Sequence, residues 1–195
     1  ASILYERLLI ETELSVLCAI RDNLSFLRNK GIIPHKMELQ DIETLKLKLS
    51  HEDEQQRLVA GICLGYILTQ ESANILYTRL LKEARNERSY NVPYTIFESL
   101  GFLRDKGIVP EVIQPEDLET LKQRLNDSRG EQRSGAVLCL GYIFTQESAN
   151  ALYERLLIET DTYKNFDILV YRALRESLRS LGNKGIIPDK ISQDP

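Results

Sequence analysis

The side chains that could carry out catalysis are few and far apart in the sequence. The chain has two histidines, His35 and His51, and three cysteines, Cys18, Cys63 and Cys139. A serine or cysteine nucleophile needs a base within hydrogen-bond reach, and no recurring pattern places either histidine beside one. The glycine-rich and histidine motifs that bind phosphate, dinucleotides or zinc are also missing from the sequence. The sequence therefore predicts a protein that is not an enzyme, with no catalytic residue, no metal and no cofactor.

The three cysteines are better explained as small core residues. All of them lie in apolar stretches with helical spacing and without Cys-x-x-Cys pairs, which argues against a disulfide framework or a zinc site. No apolar run approaches the ~18 residues that a membrane span needs. The opening residues, ASILYERLL, lack the features of a signal peptide. We therefore expect a cytoplasmic protein.

Residue types suited to binding recur more regularly. Five leucines mark one position in five apolar stretches: Leu24, Leu64, Leu100, Leu140 and Leu178. Two residues after each leucine stand Phe26, Tyr66, Phe102, Tyr142 and Ser180. Two residues before each leucine stand Asp22, Ile62, Glu98, Leu138 and Glu176. If these positions are exposed, aromatic rings flanked by carboxylates would suit a basic or amphipathic peptide; the alternative is that the rings are buried in the core.

An internal repeat sets the elements that must position these residues. The segment RNKGIIP at Arg28 returns as RDKGIVP at Arg104 and as GNKGIIP at Gly182, which are spacings of 76 and 78 residues. GYILTQESAN at Gly65 returns as GYIFTQESAN at Gly141. Such periodicity indicates a stacked array, because one unit alone cannot bury its apolar faces. We divide the chain into units 1–74 and 75–150 and a half unit 151–195.

Each full unit is predicted to contain four helices, A to D, and no strand. Their predicted bounds are Leu4–Glu11 for A, about Leu14–Asn29 for B, Asp41–Leu49 and Pro115–Leu125 for C, and about Glu52–Leu68 and Gly130–Phe144 for D. Thr69 and Thr145 are predicted caps for the later copies of helix A, and Ser50 with Asp53 resembles a capping box before helix D. The order A B C D, A B C D, A B gives ten helices in five hairpins.

The end of helix B is the most clearly marked boundary. In the segment Lys30-Gly31-Ile32-Ile33-Pro34 the glycine can adopt the left-handed conformation just past the helix. The first isoleucine can then fold back onto the last turn, and the proline prevents the helix from continuing. A tight stop of this kind is predicted in all three copies.

The C and D helices resemble the HEAT repeat, the helix pair of armadillo-like α-solenoids. The acidic residue of the turn, the arginine, the small residue and the Leu-Gly pair of that family correspond to Asp127, Arg133, Ala136, Leu140 and Gly141, and in the first unit to Asp53, Arg57, Ala60, Leu64 and Gly65. The A and B pairs match this pattern less well. The resemblance implies an all-α chain, a right-handed α-solenoid of about five hairpins forming one domain over residues 1–195. Neither end carries an obvious polar cap, so we expect a segment of a longer protein or an end that self-associates.

The resemblance also implies a structural role for two arginines. In such repeats the arginine typically bonds the turn acid of its own or an adjacent repeat, which forms a ladder. The members here would be Arg57 with Asp53 and Arg133 with Asp127.

Charge and turn composition limit the kind of partner. Lys plus Arg number 25 against 29 for Asp plus Glu, so a net charge of -4 offers no basic field for nucleic acid or an anionic membrane. The turn after the second helix A gathers Lys82, Arg85 and Arg88, which we interpret as a solvated helix end.

The leading hypothesis is a non-catalytic scaffold that holds a protein or peptide on the concave face formed by the second helices of the hairpins. The residues implicated are Phe26, Tyr66, Phe102, Tyr142, Asp22, Glu98 and Glu176. The alternatives are a solenoid-type enzyme, either a tetrapyrrole lyase or a DNA glycosylase, and a purely structural array that oligomerises. The acidic charge and the absence of tryptophan argue against the glycosylase.

Overall fold

The described part of the chain is all helical, as predicted. A computed structural model describes residues 2–11, 13–32, 42–86, 90–111, 115–161 and 166–192, and no strand occurs among them. Within these ranges, ten helices have eight residues or more, and a short one follows them. They are α1 (Ser2–Ile10), α2 (Leu14–Asn29), α3 (Ile42–Leu49), α4 (Glu54–Tyr66), α5 (Gln70–Asn86), α6 (Asn91–Asp105), α7 (Pro115–Arg124), α8 (Gly130–Tyr142), α9 (Gln146–Asp161), α10 (Ile168–Gly182) and α11 (Asp189–Ser192).

The chain forms two compact units. The first comprises Ala1–Arg79 with Glu98–Glu111, and the second comprises Leu80–Phe97 with Val112–Pro195. Each has a core of aliphatic and aromatic side chains from several helices; Leu58 and Leu64 are fully buried in the first, and Leu140 and Leu174 in the second. A membrane-spanning segment would need a longer and more apolar helix than any in the described residues.

The three glycine turns that end α2, α6 and α10 form as predicted. Gly31, Gly107 and Gly185 have φ angles of 75°, 80° and 76°, a conformation that costs other residues roughly 1 kcal/mol or more. The isoleucine after each glycine donates its N–H back to the last helical turn, for example Ile32 to the Leu27 carbonyl at 2.9 Å. These bonds are those of a Schellman motif, which satisfies carbonyls that the helix end leaves open.

The predicted threonine caps are present, whereas the capping box is wrong. The Thr69 hydroxyl accepts the Ser72 N–H at 3.2 Å, and the Thr145 hydroxyl accepts the Ser148 N–H at 3.1 Å. Before α4, however, Asp53 is itself the cap, because its carboxylate accepts the Gln55 N–H at 2.9 Å. Helix D therefore begins at Glu54. The predicted start of helix C at Asp41 lies outside the described residues.

Two glycines allow neighbouring helices to approach closely. A methyl group on Gly65 would come within 3.0 Å of the Ser99 side chain, and one on Gly141 would come equally close to Ser177. Each serine hydroxyl donates to a carbonyl of the opposite helix, Ser99 to Gly61 at 3.1 Å and Ser177 to Val137 at 3.2 Å. The Leu-Gly pair of the repeat is thus explained by backbone contact between α4 and α6 and between α8 and α10.

Two different repeated segments are hydrogen-bonded to each other: the Thr-Gln-Glu-Ser-Ala-Asn segment and the residues that follow the glycine turn. Gln146 donates to the Ile187 carbonyl at 2.6 Å, while Asn150 accepts the Asp189 N–H at 2.9 Å. The previous unit repeats this arrangement, in which Gln70 donates to the Val109 carbonyl and Asn74 accepts the Glu111 N–H at 2.9 Å. We call each set of bonds an amide clamp. It ties the Thr-Gln-Glu-Ser-Ala-Asn segment that begins a hairpin to the glycine turn that ends it.

The predicted arginine ladder names the right arginines and turns but the wrong acceptors. Arg133 donates to the carbonyls of Asp127 and Ser128 at 3.0 and 3.1 Å, and Arg57 donates likewise to the carbonyls of His51 and Glu52 at 2.9 and 2.7 Å. The Asp127 carboxylate instead accepts the N–H of Arg129 at 2.9 Å, because that donor lies only two residues away.

The carboxylate that pairs with Arg133 comes from α9. Glu159, which is fully buried, accepts from Arg133 Nε at 3.0 Å and from Arg155 Nη2 at 2.5 Å. Its second oxygen accepts the N–H of Asp167 at 3.4 Å. One buried carboxylate therefore joins α8, α9 and the start of α10.

Candidate functional site

Three of the four predicted partner-binding rings are buried. Tyr66, Phe102 and Tyr142 are 4%, 8% and 2% exposed, whereas Phe26 is 61% exposed. The prediction that all four line an open groove is therefore wrong for the first three. They belong to the core, which was the alternative interpretation of this column.

Contacts between rings explain the burial in the first unit. The Tyr66 ring meets the Tyr5 ring edge-on at 6.2 Å between centroids and the Phe102 ring at 6.5 Å. The Tyr66 hydroxyl donates to the Leu24 carbonyl at 3.2 Å, so its polar end is satisfied inside the protein. A tyrosine held in this way packs helices together and offers no surface to a partner.

Phe26 lies on the outer face of α2. The buried residues of this helix, Leu17, Ile20, Arg21 and Leu24, share one side. The opposite side carries Ala19, Asp22, Asn23, Phe26 and Lys30, all of which are exposed. We call these five residues the α2 face. The Lys30 ammonium lies 5.9 Å from the centre of the Phe26 ring, a cation–π distance.

The predicted acidic residues differ in solvent exposure. Asp22 is exposed but pairs with Arg21, whose Nη2 lies 2.7 Å from its carboxylate. Glu98 is half-buried and accepts the Ser25 hydroxyl at 3.0 Å, while Glu176 on α10 is also half-buried. The structure brings Asp22 and Phe26 together on the α2 face, with Glu98 against Ser25 at its side.

Phe26 and Phe102 differ in exposure, and the residue three positions before each ring differs as well. That residue in α2, Asn23, was not identified from the sequence. In α6 and α10 the serine three residues before the aromatic column, Ser99 or Ser177, packs on a glycine of the preceding helix. In α2 that position is Asn23, which is exposed and donates to the Ala19 carbonyl of its own helix at 2.8 Å. Asparagine in place of serine is the sequence difference that accompanies the exposure of this face among the described residues.

The remaining residues considered for chemistry do not belong to the α2 face. Cys63 and Cys139 are buried, Cys18 is half-buried, and all three are free thiols. Burial raises the pKa of the Cys63 thiol to about 11, against a weaker effect of its hydrogen bond with Tyr5. The His51 ring accepts the Asp53 N–H at 3.0 Å, which is a turn contact. Lys82 is exposed, whereas His35, Arg88 and the Arg85 side chain lie outside the described residues.

Comparisons with known proteins add little. The sequence matches no protein-family model, and no curated protein is significantly similar to it. Among solved structures, the crystal structure of an engineered protein aligns with 96% of this chain and 81% of that chain, at 15% identity and a TM-score of 0.38. A TM-score this low gives no indication of fold or function.

Proposed function

We propose that this chain is a non-catalytic helical-repeat scaffold that binds a protein partner on the α2 face. The observation that carries the proposal is the contrast between equivalent rings: Phe26 is 61% exposed, whereas Phe102 is 8% exposed against Tyr66. An exposed ring at a position built to pack on a helix favours a helical or extended peptide that supplies apolar side chains. Asp22 is already paired with Arg21 and Lys30 lies over the ring, so the face favours an amphipathic partner and does not select for basic residues.

The proposal is tested by partner capture with matched single substitutions. The chain is used to capture proteins from an extract of its source cells, in parallel with Phe26→Ser and Leu47→Ser. Leu47 is 73% exposed and lies on α3, so its substitution removes a similar apolar side chain from another surface. We expect a partner that Phe26→Ser loses and Leu47→Ser keeps. A set of captured proteins that is unchanged by Phe26→Ser would overturn the assignment of this face.

We further propose that the hairpins form a right-handed α-solenoid of the HEAT type. The support is the recurrence of the glycine turns, the Gly-Ser contacts and the amide clamps at repeat spacing. A compact domain of 195 residues would have a radius of gyration of about 16 Å. Small-angle X-ray scattering should give a clearly larger value for a solenoid. A value near 16 Å would contradict this arrangement.

The free thiols also support a location in the cytoplasm. Cys18, Cys63 and Cys139 form no disulfide, which suits a reducing compartment. Fractionation of source cells with an antibody to the chain tests this, and recovery from an oxidising compartment would contradict it.

A further inference from the structure

The outer face of α10 carries a row of arginines. The buried residues of this helix share one side and are Val170, Ala173, Leu174, Ser177 and Leu181. On the opposite side, at spacings of four, three and four residues, stand Ile168, Arg172, Arg175 and Arg179, all exposed. We call these four residues the arginine stripe. It belongs to the second compact unit, whereas the α2 face belongs to the first.

The three guanidinium groups of the stripe have no acidic partner in the part of the chain that is described. Asp167, at the start of the helix, is already engaged, because it accepts the Leu169 N–H at 2.9 Å as the helix cap. Glu176 lies on the flank of the helix, is half-buried and forms no ion pair with the described arginines. Among the described residues, the stripe therefore presents three positive charges to solvent without a compensating carboxylate.

The positions that the stripe occupies in α10 are more buried in α6, and one of them is buried in α2. Seventy-eight residues earlier, the same positions of α6 hold Tyr94, Phe97 and Gly101, which are half-buried. In α2 the only arginine at an equivalent position is Arg21, which is buried and paired with Asp22. Of α2, α6 and α10, only α10 has exposed arginines at these positions.

We propose that the arginine stripe binds an acidic helical segment of a protein partner. With a rise of about 1.5 Å per residue, the three arginines span about 10 Å of one helix face. A partner helix with glutamates at the same spacing places one carboxylate opposite each guanidinium, the geometry in which arginine binds carboxylates most strongly. Ile168 and Phe166, 53% and 48% exposed, add an apolar contact at the start of the helix.

An acidic peptide fits this surface better than a polyanion does. Non-specific binding to nucleic acid depends on the number of phosphates that are neutralised, about 6–10 in proteins with a strong salt dependence, and the stripe supplies three arginines. The net charge of -4 also repels an extended polyanion, whereas a short acidic segment meets mainly the local field of the arginines.

The test is a fluorescence anisotropy titration of the full chain with defined probes. The first probe is a labelled helical peptide with the pattern Glu-x3-Glu-x2-Glu-x3-Leu, which complements the stripe in the antiparallel direction. The second is the same composition with the three glutamates on different helix faces. A labelled 20-base-pair DNA duplex and phosphatidylserine vesicles represent phosphate sources.

We expect the patterned peptide to bind at least tenfold more tightly than the rearranged peptide, DNA or vesicles, and more weakly as salt rises. Replacing the three arginines with Arg172→Gln, Arg175→Gln and Arg179→Gln should weaken binding at least tenfold. The control variant combines Lys46→Gln, Lys82→Gln and Lys106→Gln, which removes the same charge from exposed positions elsewhere and should retain binding. The proposal is overturned by no saturable binding of the patterned peptide, by equal loss in both variants, or by stronger binding to DNA or vesicles. Circular dichroism establishes that both variants remain helical.

Discussion

The carboxamide of Asn150 binds Asp189 twice, accepting its backbone N–H at 2.9 Å and donating to its carboxylate at 2.6 Å. Asn74 and Glu111 make the same pair of bonds at 2.9 and 3.5 Å. The two ends of a hairpin are therefore joined by one side chain in each of the two units. The two Thr-Gln-Glu-Ser-Ala-Asn segments are identical, and this contact explains why each ends in asparagine.

Removing the Asn150 amide should destabilise the second compact unit, which contains both Asn150 and Asp189. Asn150→Ala breaks both bonds, and at about 0.5–1.5 kcal/mol each we expect a loss of about 1–2 kcal/mol in the free energy of unfolding. Urea denaturation followed by circular dichroism measures it. Asn183→Ala, at an exposed asparagine after α10, is the control and should change stability by less than about 0.5 kcal/mol. Equal losses in the two variants would contradict the clamp.

The contact between Gly141 and Ser177 gives a second prediction. Gly141→Ala forces its new methyl group against the Ser177 side chain, so we expect a loss of about 1–3 kcal/mol by overpacking. Adding Ser177→Gly should recover part of that loss, and the double-mutant cycle should give a coupling above about 0.5 kcal/mol. Gly182→Ala, where no atom lies within 4 Å, is the control and should be nearly neutral. Additive effects of the two changes would refute the close approach.

Glu159 should be the most sensitive charged residue. Glu159→Gln leaves Arg155 with a neutral partner and Arg133 with only the more distant Asp167 carboxylate at 3.9 Å. Breaking a buried pair costs about 3–5 kcal/mol. Glu154→Gln removes an exposed pair with Lys190 at 3.3 Å and should cost under about 1 kcal/mol. Thermal and urea unfolding of both variants measure the difference. A similar cost for the two would show that burial does not strengthen the dependence on Glu159.

The Cys63 thiol predicts a dependence of stability on pH. Burial raises its pKa from 9.0 to about 11. Below pH 9.0 the thiol is protonated in both states, so its contribution is constant; between 9.0 and about 11 only the unfolded state loses the proton, and stability falls. The loss should reach on the order of 2–3 kcal/mol. Cys63→Ala should remove this part of the pH dependence, whatever its effect at neutral pH. Parallel curves for the two proteins above pH 9.0 would contradict the assignment.

Accessibility should order the thiols in the folded protein. Cys18 is half-buried, whereas Cys63 and Cys139 are buried, and only exposed thiolate reacts quickly. A disulfide reagent at pH 8 should therefore modify Cys18 first, with Cys63 and Cys139 reacting only on unfolding. Mass spectrometry of the modified peptides tests the order, and rapid labelling of Cys63 would contradict its burial.

Local patterns predicted the helices and their ends well. The glycine turns and the threonine caps involve residues within a few positions of each other, so their chemistry can be read from short segments. The predicted capping box was wrong, because Ser50 and Asp53 are both possible caps for α4. The Asp53 carboxylate is the one that accepts the Gln55 N–H. Local sequence patterns show that a helix is capped more reliably than they show which of two neighbouring residues is the cap.

Long-range features were less accessible from sequence. The repeat identified both partners of the amide clamp but not their contact, because Gln146 and Ile187 are 41 residues apart. The aromatic column aligned Phe26 with Phe102, yet their exposure depends on whether a helix such as α4 lies against them. Equal spacing in the sequence shows that two residues occupy equivalent positions in their helices. Whether each side chain is buried also depends on which helices pack against its own.

The amide clamp also determines where the chain tolerates insertion. Gln70 reaches Val109 across 39 residues, whereas Gln146 reaches Ile187 across 41, and both pairs bond. The two extra residues fall within the hairpin, between Ser148 and Ser177, which are 76 and 78 residues after Ser72 and Ser99. The clamp therefore bonds the two ends of the hairpin at either of these two lengths. Engineered loops or epitopes placed between α9 and α10 should leave the neighbouring hairpins in register.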